Sequence, residues 1–246
     1  MPTKLLLTAL FALLAASAVP AQRLPDGWMD AAGFGFSPDA TGIENTRALQ
    51  RAVDRTGTSV VSRPGIYKLA GTVFLGSNTS LIFGNNVFIK KVAEPEPYTH
   101  VLLNKGALTK SWNEHITVSG LQLIVNGIDL RKWLVYGLHG QVAFFYVKDL
   151  RIEHLRCVDG GKAQYIVHVC TFEDIVIQDV HIEGAKDGVH LGRGKRFTIR
   201  DGVFETGDDA IALNAHDYSV GNPELGWIED GVIENMRDLP NPKQQV

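Results

Sequence analysis

Most of the chain consists of short runs in which apolar and polar residues alternate, separated by glycine, asparagine and aspartate. Four of these runs occupy residues 59–62, 72–75, 80–83 and 87–90. Alternation with a period of two predicts β-strands, and the separating residues predict turns. Turns of the Asn-Gly type are missing between most runs, so we do not expect the strands to pair as hairpins.

One segment before the strands has a helical pattern instead. Residues 39–42, Asp-Ala-Thr-Gly, are typical of a helix start. Apolar side chains then recur on one helical face at Ile43, Leu49 and Val53. We predict one amphipathic helix over residues 43–56, and no second helix after it.

The clearest pattern is an internal repeat. Residues 175–191 align without a gap on residues 197–213, at an offset of 22 residues. The apolar positions coincide: Ile175 with Phe197, Ile177 with Ile199, Ile182 with Phe204, Val189 with Ile211, and Leu191 with Leu213. Looser copies begin at Leu150 and Ile116. The chain therefore repeats one structural unit several times.

A period of about 22 residues with two or three short strands fits one coil of a β-solenoid. It is too short for repeats of helix pairs, and the leucine-rich-repeat motif is missing. We predict an all-β fold, a right-handed parallel β-helix, over residues 59–246. Residues 22–58 form the entry segment, and its helix caps the N-terminal end. Residues 238–246 contain no cap for the other end, so we expect further C-terminal coils to be missing from this chain.

The N-terminal residues 1–21 have the pattern of a signal peptide. A short basic start precedes an apolar run at residues 5–16, and small residues follow it. This run is short for a membrane anchor, the alternative reading. We expect a secreted or periplasmic protein with no membrane attachment after cleavage.

Composition narrows the class of partner. The formal net charge is −3, and no basic run occurs that would favour nucleic acid. Cys157 and Cys170 both lie in apolar strand patterns, so we expect two buried thiols rather than a disulfide or a metal site. We expect a monomer that needs no cofactor.

Carboxylates lie at matching places in two coils of the repeat. Asp187 stands at the start of one strand, and Asp208 and Asp209 stand at the start of the aligned strand in the next coil. Asp187 and Asp209 should then be one strand spacing apart. Carboxylates this close repel one another, so we expect at least one to have a raised pKa and to keep its proton near neutral pH. A protonated acid beside ionised carboxylates is what hydrolysis of a glycosidic bond requires.

Other polar side chains lie near these carboxylates in the repeat. His168 and His190 alternate with interior apolar residues, so both should point out of the coil on one sheet face. We predict that substrate-binding residues come from these histidines and from nearby cations. The full set is His168, His190, Lys186, Arg193, Lys195 and His216. Trp112, Trp133 and Tyr218 are candidates for stacking on sugar rings, although packing explains each of them equally simply.

Two motifs in this chain resemble a known family. Residues 206–213, Thr-Gly-Asp-Asp-Ala-Ile-Ala-Leu, follow one coil after residues 187–191, Asp-Gly-Val-His-Leu. Together they resemble family 28 of the glycoside hydrolases, the polygalacturonases, within the pectate-lyase-like β-helix superfamily. Residues 36–50 are similar to the entry segment of these proteins. The resemblance implies an inverting enzyme in which Asp208 is the general acid, while Asp187 and Asp209 activate water.

The chain departs from the family pattern at three places. Residues 185–187 read Ala-Lys-Asp where the family has Asn-Thr-Asp. Residues 226–230 read Gly-Trp-Ile-Glu-Asp where the family has Gly-His-Gly, and the later Arg-x-Lys motif is missing. His216 is our candidate for the role of the missing histidine. These departures bear on which sugar is bound.

Three functions remain open from the sequence. The first is hydrolysis of pectin or a related glycan that contains uronic acid. The second is a polysaccharide lyase, in which Lys186 or Arg193 removes a proton and the three aspartates bind Ca²⁺. The third is a carbohydrate-binding solenoid without catalysis. Fold alone does not choose among them.

Overall fold

The computed structural model describes residues 24–94, 100–125, 136–161, 165–216 and 221–241. The predicted signal peptide, Trp133 and Tyr218 lie outside the described residues. Helix α1 spans Gly42–Val53, and two short 3₁₀ helices span Ala31–Phe34 and Lys105–Leu108. The strands are β1 (Trp28–Asp30), β2 (Gly57–Val61), β3 (Gly65–Leu69), β4 (Val73–Leu75), β5 (Thr79–Phe83), β6 (Val87–Lys91), β7 (Leu102–Asn104), β8 (Asn113–Ser119), β9 (Gln122–Ile124), β10 (Val142–Glu153), β11 (Arg156–Cys157), β12 (Tyr165–Gly184), β13 (Asp187–Leu191), β14 (Gly194–Thr206), β15 (Ile211–Leu213) and β16 (Ile228–Asp238).

The strands form a right-handed parallel β-helix, as the repeat predicts. Every strand pairing between described residues is parallel, and the pairs run from one coil to the next. The five predicted interior matches are all confirmed, from Ile175 opposite Phe197 to Leu191 opposite Leu213. The looser copies are confirmed too, since Leu150 pairs with both Ile116 and Ile175. The repeat of about 22 residues therefore reflects the stacking of similar side chains from one coil to the next.

The coils turn at columns of residues with a left-handed backbone. One column contains His115, Asp149, Asp174 and Arg196, whose φ angles lie between 50° and 58°. Their partners in register show that they stack on one another. Asp, Asn and His adopt this conformation more readily than most residues. Opposite charges then meet along the column, as where Arg196 Nε donates to Asp174 Oδ1 at 2.6 Å.

The interior of the solenoid is a continuous apolar column. Leucine, isoleucine, valine and phenylalanine from successive coils lie on top of one another and are almost fully buried. Burial of one such side chain contributes about 1.5–3 kcal/mol, so the coils stabilise each other mainly through these ladders. Cys157 belongs to this column, and Cys170 lies outside it. Both cysteines are free and buried, which confirms the prediction of two buried thiols.

Helix α1 covers the N-terminal end of the column. Its buried face includes Leu49 and Val53, as the periodicity predicts, whereas the predicted Ile43 is only partly buried. The Thr41 side chain accepts from the Glu44 amide, and Glu44 accepts in return from the Thr41 amide. This capping box fixes the start of the helix. The helix ends at Val53, three residues before the predicted end.

A second apolar layer lies outside the coils, which the alternation does not predict. It covers the outward face of β7, β10 and β12. We call this group the outer layer; its buried members are Leu103, Ala107, Leu138, Ala143, Phe145, Tyr146 and Cys170. The sheet face that carries His168 is therefore covered, not open to solvent.

The last described coil is more exposed to solvent than the coils before it. Most residues of β16 are exposed, including Val232 and Ile233. An open cavity of about 490 Å³ lies beside them and is bounded in part by Phe197, Leu213 and Trp227. Elsewhere, no helix among the described residues is long and apolar enough to cross a membrane.

Candidate active site

Three aspartates come together at the start of β13 and β15. The Gly188 amide donates to the Asp209 carbonyl at 2.9 Å, so Asp187 and Asp209 are neighbours in adjacent coils. One carboxylate oxygen from each of Asp187, Asp208 and Asp209 lies within 4.8 Å of the others. We call these three residues the acidic cluster. Asp187 is buried, whereas Asp208 and Asp209 are exposed, so the cluster has a closed base and an open mouth.

One carboxyl group of the acidic cluster has the raised pKa that we expected. The pKa of Asp209 is raised, first by burial and then by the negative charges of Asp187 and Asp208. The charge of His190 acts in the opposite direction. Asp209 therefore holds its proton to a higher pH than an isolated aspartate does. The family resemblance places the acid at Asp208, one residue earlier.

Lys186 is the cation at the mouth of the acidic cluster. Its ammonium nitrogen lies 3.1 Å from Asp208 Oδ2. Both side chains remain partly exposed, at 29% and 42%. The chain thus places a lysine directly beside the carboxylates.

His190 and His168 both leave the coil interior, but neither is exposed. Each is fully buried. His190 Nδ1 lies 3.0 Å from Asp187 Oδ2, so His190 joins the base of the acidic cluster. His168 lies one coil earlier, and burial lowers its pKa to about 3. We expected the sheet face that carries these two histidines to be open to solvent. That expectation is wrong, because a second layer of chain covers both rings.

That cover comes partly from a segment far along the chain, residues 221–226, which we call the crossing segment. Asn222 Oδ1 lies 2.8 Å from His168 Nε2. Glu224 accepts from the Tyr146 hydroxyl at 3.0 Å and from Arg193 at 2.9 Å. These contacts anchor the segment across β10 and β12.

Arg193 and Lys195 lie away from the acidic cluster. Asp187 begins β13 and Arg193 follows its end, and the strand between them, from Asp187 to Leu191, spans about 13 Å. Both cations help to line a groove of about 310 Å³ that also exposes Trp112 and Trp227. Each is paired with an acidic residue, Arg193 with Glu224 and Lys195 with Glu173 at 3.2 Å. The structure thus divides the predicted substrate-binding residues between two places.

His216 is exposed, and its ring meets the edge of Trp227 at a centroid distance of 5.0 Å. The contact of His216 is with this tryptophan, and among the described residues it is not joined to an aspartate. Trp227 also lines the groove that contains Arg193 and Lys195.

Tyr165 is a site residue that the sequence reasoning missed. It pairs in register with Asp187, and its ring stacks on His190 at 4.0 Å. The repeat contains the signal that would have found it, because Tyr165 precedes Asp187 by the same 22 residues as Asp187 precedes Asp209. No such signal exists for Asn222 or Glu224, which lie in an irregular segment.

Comparison with solved structures places this chain among β-helix proteins. The family 28 exopolygalacturonase of Yersinia enterocolitica matches with a TM-score of 0.67 and 13% identity, over 86% of this chain and 49% of that one. The exopolygalacturonase of Thermotoga maritima matches with a TM-score of 0.61 and 14% identity, over 89% and 67%. The chain thus spans about half to two thirds of these enzymes.

A surface adhesin shares the fold as well. The surface adhesin PfbA of Streptococcus pneumoniae matches with a TM-score of 0.63 and 15% identity, over 84% of this chain and 56% of that one. No protein-family model and no curated protein matches the sequence. At these identities the likeness shows the parallel β-helix fold alone, and a shared fold does not fix the chemistry of a site.

Proposed function

We propose that this protein hydrolyses glycosidic bonds in a polysaccharide that contains uronic acid, such as pectin. The observation that carries the proposal is the acidic cluster, in which oxygens of three carboxylates lie within 4.8 Å of one another and one carboxyl group has a raised pKa. The motifs around it resemble those of polygalacturonases, and two solved structures of similar fold are exopolygalacturonases.

The site supplies the groups that acid–base hydrolysis needs. Asp209, with its raised pKa, or its neighbour Asp208 donates a proton to the leaving oxygen. Asp187, held at the buried base, accepts a proton from the attacking water. Lys186 stands beside Asp208 and offers a cation to the carboxylate of a uronic acid.

We propose that the reaction inverts the configuration at the anomeric carbon. Inverting glycosidases hold acid and base about 6.5–9.5 Å apart, and retaining enzymes about 5–5.5 Å. The nearest oxygens of the acidic cluster lie within 4.8 Å, which is closer than an inverting pair at rest. Inversion requires the exposed Asp208 or Asp209 side chain to swing outward when sugar and water enter. The anomer of the first product, read by proton NMR, reports the outcome directly.

The main experiment measures new reducing ends released from pectic and related polysaccharides. Asp187→Asn, Asp208→Asn and Asp209→Asn should each lower the rate by about 10²-fold or more, because each removes a proton-transfer group. Asp201→Asn is the matched control, since Asp201 lies at a coil corner and pairs with Asn235. Hydrolysis that survives all three cluster variants would refute the proposal.

A lyase remains the second candidate, because the same three oxygens are spaced to share one cation. Carboxylate oxygens are the ligands that Ca²⁺ prefers, and Lys186 would then be the base. Such a reaction creates a double bond conjugated to the carboxyl group, which absorbs ultraviolet light. Absorbance that disappears with a chelator would favour the lyase, whereas reducing ends without absorbance favour the hydrolase. Binding without turnover would favour a glycan-binding solenoid.

A further inference from the structure

His190 connects the acidic cluster to a buried group of aromatic rings. Its Nδ1 lies 3.0 Å from Asp187 Oδ2, and both residues are buried. An imidazole N–H can donate to this carboxylate whether the ring is neutral or charged. A hydrogen bond of this kind stabilises the ionised form of the carboxyl group.

The rings around His190 hold it in one orientation. Tyr165 stacks on it at 4.0 Å with 25° between the planes. His168 meets it edge-to-face at 4.9 Å. The titratable groups that act on or contact His190 come from its own strand, from both adjacent coils and from the segment before β10; they are Asp187, Asp209, Tyr165, His168 and His139.

The two other histidines of this group stay neutral. Burial lowers the pKa of His168 to about 3, and burial also lowers the pKa of His139. The charge of His190 contributes to both shifts. His190 is thus the one histidine of the three that contacts a carboxylate, and the other two do not compete with it for Asp187.

We propose that His190 is a positioning residue for Asp187, whose carboxylate it orients through the contact of its Nδ1 with Oδ2 so that it can accept a proton from the attacking water. The proposal rests on the hydrolase function proposed above and assigns a separate role within it. Donation from Nδ1 fixes Oδ2 and leaves Oδ1 to accept from water.

His168 provides the matched control. It lies on the same sheet face, is equally buried and is also in contact with Tyr165. Its nitrogens lie near the His139 carbonyl and Asn222, and not near a carboxylate. A purely structural role of a buried ring would therefore be shared by both histidines, whereas control of Asp187 would belong to His190 alone.

The test compares pH profiles of kcat/KM for His190→Phe, His190→Asn and His168→Phe. His190→Phe keeps a ring against Tyr165 but removes the donor. We expect kcat to fall about 10²-fold with KM unchanged, and the acidic limb of the profile to rise by about one pH unit. His190→Asn keeps a hydrogen-bond donor, so it should restore much of kcat and return the acidic limb of the profile towards its wild-type position. An unmoved acidic limb in His190→Phe, or an equal shift in His168→Phe, would overturn the proposal.

A measurement on the wild-type protein keeps the test independent of whether His190→Phe folds. Nitrogen NMR of the imidazoles, with His190 assigned from the Asn variant, should show a proton on Nδ1 throughout the active pH range. A bare Nδ1 in that range would overturn the proposal. Absence of any hydrolysis by the wild type would count against the hydrolase function itself, and hydrolysis with an unmoved profile would count against His190 alone.

Discussion

The Gly188 amide donates to the Asp209 carbonyl at 2.9 Å, and this backbone hydrogen bond joins the two coils at the acidic cluster. Gly188 allows the approach because it has no side chain. A Cβ at this position would lie 2.7 Å from the Ala210 carbonyl oxygen and 2.7 Å from Phe204 Cδ1. The register of the cluster therefore depends on a glycine.

Gly188→Ala should consequently disturb both stability and activity. Overpacking of this kind costs about 1–3 kcal/mol, and the shift would pull Asp187 away from Asp209. Urea unfolding and hydrolysis rate measure the two effects. Gly33→Ala is the control, because a Cβ there would meet no atom within 4 Å. Equal behaviour of the two variants would show that the close approach is unimportant.

Acid should destabilise the protein through buried histidines. Burial lowers the pKa of His168 and of His100 to about 3, from an ordinary value of 6.5. The unfolded chain therefore binds more protons below pH 6.5, and the free energy of unfolding falls as the pH drops from there towards 3. Each histidine contributes a slope of about 1.4 kcal/mol per pH unit.

His168→Asn tests this slope, because it removes one buried histidine that titrates on unfolding and keeps a polar side chain. We expect the pH dependence of the free energy of unfolding to flatten by about 1.4 kcal/mol per pH unit below pH 6.5. Urea titrations at several pH values measure it. The same slope in the variant and the wild type would mean that His168 does not titrate on unfolding.

The two thiols should be unreactive in the folded protein. Burial raises the pKa of Cys157 to about 12 and raises that of Cys170 as well. The thiolate is the reactive form, so both lack it near neutral pH. A thiol reagent should label neither residue in buffer and both in denaturant. Labelling of either cysteine before unfolding would contradict the observed burial.

The stability of helix α1 and of the segment before it should depend on the side chain of Asn45. This buried side chain accepts from the Ser37 amide and donates to the Ser37 carbonyl, both at 2.9 Å. Asn45→Ala leaves two polar backbone groups without these partners, which costs about 1–3 kcal/mol each where the groups stay buried. Thermal unfolding followed by circular dichroism measures the loss. An unchanged midpoint would show that water replaces Asn45.

The solenoid and the acidic cluster were predictable because both follow from the repeat. Ile175 is aligned with Phe197 in the sequence repeat and lies opposite it in the structure. The two agree because apolar residues of successive coils are buried from water by stacking on one another. The same register brings Asp187 beside Asp209. Alternation along β13 also shows correctly that His190 leaves the coil interior. A period that fixes register thus fixes which side chains become neighbours.

The surroundings of these side chains were decided only by the tertiary structure. Alternation tells which way His168 points but not what covers it, and its partner Asn222 is 54 residues further along the chain. Glu224 reaches Tyr146 across 78 residues in the same way. Irregular segments follow no period, so their contacts depend on the complete packing. By itself the sequence determined the coil and its carboxylates, and folding decided which of the polar residues became buried partners and which stayed open to a substrate.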